Sequence, residues 1–168
     1  MNYRALLAFI ILAVTAVLGA AILSDWISVG FFVGPYRFSH WMSWFGALFV
    51  AVYAPAYHFL KRRYSKRRKT LLDIHVFGFL LAFLLITIHF TGQLSRPPQA
   101  FPDLGEGVAL VIVVLLLVST GIVQRFGLFP KGQKRHYTPR FNLYLHTSLL
   151  VAFYVVVAVH VLATLGII

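Results

Sequence analysis

Seven histidines occur in the 168 residues, and four of them form two pairs with identical spacing. His75 and His89 lie in LLDIHVFGFLLAFLLITIHF, and His146 and His160 lie in LYLHTSLLVAFYVVVAVH, the members of each pair fourteen residues apart. An ionisable side chain inside an apolar span is costly and marks a functional position. Fourteen residues rotate an α-helix by about 1400°, within about 40° of four full turns, so both members of a pair share one face. They also lie about 21 Å apart along the axis. Two neighbouring helices with this spacing offer two stacked bis-imidazole sites, one towards each end. That is the ligand set for two haems spanning a bilayer.

The rest of the composition narrows the chemistry. There is no cysteine, which removes disulfides, thiolate metal sites and covalent C-x-x-C-H haem attachment. Methionine is confined to Met1 and Met42, so histidine is the only credible iron ligand. Two imidazoles fill both axial positions, and the expected chemistry is then electron transfer by two non-covalent b-type haems. Gly78 and Gly92 each follow a ligand by three residues. Either a flat macrocycle approaches the backbone there, or they serve ordinary close helix packing. Propionates call for cations, with Arg37 and Arg96 at one end and Arg140 and the KRRYSKRRK loop at the other.

Other residues leave alternatives open. His40 and His58 lie eighteen residues apart, five full turns, and so share a face of one helix. They either replace one ligand of each pair, bind propionates, or sit at the interface. His136, among Lys134, Arg135 and Tyr137, reads as solvated. Glu106 either marks the membrane edge or handles protons for a quinol.

The elements that must position these residues follow from hydropathy. The chain is 60% hydrophobic and 11% charged, with a mean hydropathy of +0.85, which excludes an ordinary soluble domain. Five stretches are long enough to cross a bilayer, near 4–23, 40–60, 70–90, 107–123 and 141–168. The expected fold is an all-α integral membrane protein of five transmembrane helices. Four form a haem-binding bundle and one is an added N-terminal helix, all in a single domain spanning 1–168. The first stretch exceeds the length of a signal-peptide core and reads as a true span. Pro55 predicts a kink in the second span, and Thr70 with Asp73 predicts a capping box at the start of the third. The aromatic and glycine-rich loops after the first and third spans read as ordered caps on the membrane surface.

The net charge of +11 is distributed between spans, which argues against nucleic acid as the partner. Arg4, seven residues of KRRYSKRRK and five of QRFGLFPKGQKRHYTPR place thirteen cations on one side, against Arg37 and Arg96 on the other. By the positive-inside rule the N-terminus is cytoplasmic and the C-terminus outside, in the cell membrane. Both histidine-bearing spans then run from inside to outside. His75 lies six residues beyond Lys69 and His146 six beyond Arg140. His89 lies seven before Arg96 and His160 eight before the last residue. Depth therefore pairs His75 with His146 and His89 with His160. One histidine in an apolar helix is commonly a packing residue, but four at matched spacing and depth point to shared ligands.

The paired H-x13-H pattern on parallel helices resembles the diheme b-type membrane cytochromes. It looks most like the ferric-reductase-like transmembrane domain, and the same spacing occurs in the cytochrome b superfamily. The resemblance covers about residues 40–168 and implies that His75, His89, His146 and His160 are axial haem ligands. This chain departs from that pattern in having five spans where six are usual. It also has no G-x-G-x-x-G dinucleotide loop and no Pro-Glu-Trp-Tyr quinol motif. The expected function is thus a membrane electron-transfer subunit of an oxidoreductase or respiratory complex, working with lipid around it and a redox partner subunit or quinone. One alternative is a self-contained reductase of ferric iron, oxygen or quinone at a haem edge. Another is a histidine-lined proton or metal transporter, which the placement of every carboxylate near a span end disfavours.

Overall fold

Runs of branched and aromatic apolar residues can satisfy their backbone in a membrane only by closing hydrogen bonds within a helix. Five such helices appear in the computed structural model, which describes residues 3–97, 99, 105–128 and 138–167. They are α1 (Tyr3–Leu23), α2 (Phe38–Arg63), α3 (Arg68–Leu94), α4 (Gly105–Phe126) and α5 (Pro139–Thr164). All five are long and apolar enough to cross a membrane, so the chain is a multi-pass, all-α membrane protein. The only strands among the described residues are β1 (Phe32–Val33) and β2 (Tyr36–Arg37), a short antiparallel hairpin before α2. Large apolar side chains such as Phe9, Leu48, Phe59, Val151 and Val155 are exposed, as expected where lipid is the solvent.

Residues 1–102 form one compact unit and 103–168 another. In the first unit α3 packs against both α1 and α2. Gly46 of α2 makes the tight approach possible: a Cβ there would lie 2.9 Å from the Ala82 carbonyl oxygen of α3. On the other flank α1 buries Ala8, Thr15, Gly19 and Ile22. The Arg4 guanidinium meets the Asp73 carboxylate at 2.7 Å, tying the start of α1 to α3. The hairpin is held by Trp41, whose indole N–H donates to the Val33 carbonyl at 2.9 Å. Tyr36, Trp41 and Trp44 cluster beside it, so the loop after α1 is an ordered aromatic cap. Its counterpart after α3 falls largely outside the described residues.

In the second unit α4 packs along α5. Thr138 caps α5, its hydroxyl accepting from the Phe141 amide at 3.1 Å, with Pro139 in the first turn where a missing N–H costs nothing. Both helices close on glycines in the left-handed region, Gly127 (φ 65) and Gly166 (φ 66). The last helix therefore stops at Thr164, short of the expected 168. Ile167 donates back to the Leu162 carbonyl at 3.0 Å, which satisfies an end that continued helix would otherwise have covered.

The expected capping box at Thr70 and Asp73 does not form. A single 3-10 turn at Ser65–Arg67 leads directly into α3, whose first residue is Arg68 and whose N-cap, Arg67, makes no side-chain cap bond. Thr70 is thus already inside the helix, and Asp73 is engaged with Arg4.

Candidate functional site

The first unit holds His75 and His89 on α3, and both imidazoles lie against α2. His89 Nδ1 is 3.1 Å from the carbonyl oxygen of Ser39. A carbonyl only accepts, so this nitrogen carries the proton and donates. In the neutral ring the lone pair then resides on Nε2, the form in which imidazole binds a metal. Ser39 is almost completely buried, and its hydroxyl accepts from the Gln93 amide at 3.4 Å. His40 meets the His89 ring edge-on, with centroids 5.1 Å apart. Of the two histidines on α2, His40 therefore touches a candidate ligand. His58 is exposed beside Phe59.

His75 is gripped by aromatic rings. Tyr57 stacks on it at 4.6 Å and 22°, and Phe79, one turn along α3, lies at 4.5 Å. Lys61 Nζ sits over the Tyr57 ring at 5.1 Å. Phe49 and Tyr53 continue the stack, and Phe49 returns to Phe79 at 5.8 Å. Gly78 serves this cluster: a Cβ there would collide with the edge of the Phe49 ring. Gly92 similarly admits Val29, whose Cγ2 would lie 2.7 Å from an added Cβ. Of the two roles open to these glycines, close packing is the one these contacts describe.

Arg37 lies near enough to Arg96 for its charge to act there. The Arg37 guanidinium donates to the Gly30 carbonyl at 2.9 Å and lies over Phe32. Arg96 Nε is enclosed without a hydrogen-bond partner among the described residues. Its pKa is pulled below the usual guanidinium value, first by partial burial and second by the positive charge of Arg37. An anion placed between them would relieve both effects.

The second unit holds His146 and His160 on α5. His146 Nδ1 lies 2.9 Å from the Thr120 hydroxyl of α4. Asn142, one turn earlier and fully buried, donates to the Thr120 carbonyl at 3.0 Å and to Gln124 Oε1 at 2.9 Å. His160 Nδ1 is enclosed without a hydrogen-bond partner among the described residues. Leaving such an atom unmade costs about 1–3 kcal/mol, an expense that a ligand role for the ring would account for. Arg140 is exposed in the first turn of α5, and Glu106 is half-buried in the first turn of α4. His136 lies outside the described residues. Among those described, no group of three or more His, Asp or Glu side chains is arranged to hold a metal ion.

Ser39, Tyr57, Thr120, Gln124 and Asn142 did not emerge from the histidine spacing. A signal for one of them was present, because Asn142 precedes His146 by four residues and so shares its helix face. The donor set fits a haem: His89 donates Nδ1–H to a carbonyl and keeps Nε2 as the lone-pair nitrogen, His146 holds Nδ1 against a hydroxyl, and His160 has an enclosed Nδ1 with no hydrogen-bond partner among the described residues. No family model matches this chain, and no curated protein or solved structure matches it either.

Proposed function

We propose that this membrane protein is an electron-transfer subunit that holds two b-type haems, His75 and His146 ligating one and His89 and His160 the other. The observation that carries this reading is the state of the histidines inside apolar helices. His89 donates from Nδ1 to a backbone carbonyl, which orients the ring and leaves Nε2 for iron. When bound, haem supplies one-electron transfer. The chain's part is to fix the imidazoles, exclude water with apolar side chains, and neutralise propionates through Arg37 and Arg96 on one side and Arg140 on the other. The cation count supports a cytoplasmic N-terminus, with the Arg37–Arg96 end outside, in the cell membrane. A redox partner subunit or membrane quinone then supplies or accepts the electrons.

Replacing single ligands tests the pairing. His89→Ala and His160→Ala should each remove the same haem, halving the haem content and sparing the other signal. Loss of both haems from either variant, in a protein that still folds, contradicts the pairing.

A further inference from the structure

We infer that Thr120 is a positioning residue for His146, setting which ring nitrogen carries the proton and which keeps the lone pair. This rests on the reading of His146 as a haem ligand, but its structural basis is independent of haem. The Thr120 hydroxyl hydrogen is committed to its own helix, donating to the Leu116 carbonyl at 2.8 Å with the Leu117 carbonyl at 3.1 Å. What it offers His146 is therefore a lone pair, and the ring must meet it with Nδ1–H. Gly121 lies beside the same ring, where a Cβ would make only ordinary contact, 3.5 Å from His146 Cε1 and 4.0 Å from Nδ1. Among the described residues, what α4 presents to the imidazole is thus the Thr120 lone pair.

Asn142 fixes the height at which the two helices meet. Both hydrogens of its amide are used on α4, one on the Thr120 carbonyl and one on Gln124 Oε1. The amide sits one turn before His146 on the same face of α5. Thr120 is in this way locked opposite His146, and the neutral ring is held as the Nδ1–H tautomer with the Nε2 lone pair turned away from that hydrogen bond. A hydroxyl does here for His146 what the Ser39 carbonyl does for His89.

The test uses the full chain in detergent with ¹⁵N-labelled histidine, together with haem titration. The His146 signals of the wild type, stripped of haem, should be those of a neutral ring protonated at Nδ1; protonation at Nε2 overturns the inference whether or not any variant folds. Thr120→Val should shift the His146 nitrogen signals and weaken haem retention by about 10- to 100-fold, the usual range for losing a ligand's outer hydrogen bond. Thr120→Ser, which restores the acceptor, should return both to wild-type values. Unchanged signals and affinity in Thr120→Val, or no rescue by Thr120→Ser, contradict it. A wild type that binds no haem at all defeats the proposed function, while the tautomer measurement still decides the role of Thr120.

Discussion

Gly46→Ala and Gly107→Ala are the same chemical change and should move stability in opposite directions. A methyl at Gly46 would meet the Ala82 carbonyl oxygen at 2.9 Å, Ile86 Cγ1 at 3.1 Å and Leu85 Cβ at 3.3 Å. Ordinary contact begins near 3.4 Å, so α2 and α3 must part by roughly 0.5 Å, because backbone cannot swing aside as a side chain does. Overpacking of this kind costs about 1–3 kcal/mol. Alanine recovers up to ~1 kcal/mol of helix propensity, leaving a net loss of about 0–2 kcal/mol. At Gly107 nothing lies within 4 Å of the added carbon, so only the gain of up to ~1 kcal/mol remains. The displacement has a second consequence, since Ser39 lies two turns before Gly46 on α2 and its carbonyl receives the His89 proton at 3.1 Å. Reversible unfolding in mixed micelles measures the two stabilities, and labelled histidine reports the His89 bond. A Gly46→Ala protein as stable as Gly107→Ala, with the His89 signal unmoved, refutes the close α2–α3 contact.

Asn142→Leu removes two interhelical hydrogen bonds from a fully buried site. Such bonds in membranes average about 0.6 kcal/mol and reach about 1.7, so a loss of about 1–3 kcal/mol is expected in the same unfolding assay. Arg4→Gln should cost less than about 1 kcal/mol, and less still at high salt, because the two side chains of its ion pair with Asp73 are 29% and 24% exposed. Gly166→Ala places a Cβ at φ 66 and should destabilise the end of α5 by about 1–2 kcal/mol, seen as faster amide exchange after Val161.

The helices were legible from sequence because each apolar run is long enough to cross a bilayer and most of the boundaries carry charge. Their ends were less so. Thr70 and Asp73 matched a capping pattern, yet the basic linker starts α3 two residues earlier through a 3-10 turn, and Asp73 finds a distant partner in Arg4. Gly166, which ends α5, looks in sequence like one more small residue in an apolar tail. The histidine periodicity was visible since it depends only on helix phase. What surrounds each ring depends on how neighbouring helices meet, which no spacing within one helix encodes. Tyr57 stacks on His75 from another helix, and Thr120 reaches His146 across the α4–α5 contact. Gly78 shows the same limit, since its spacing from His75 left two roles open and the contact with Phe49 describes one of them.

The most direct test of the two-haem proposal is a reduced-minus-oxidised difference spectrum of the purified protein, with haem and protein quantified on the same sample. A b-type spectrum with two haems per chain is the predicted result. A preparation that folds into its helices, is supplied with haem and shows no b-type signal contradicts it, and one haem per chain contradicts the paired assignment of the four histidines.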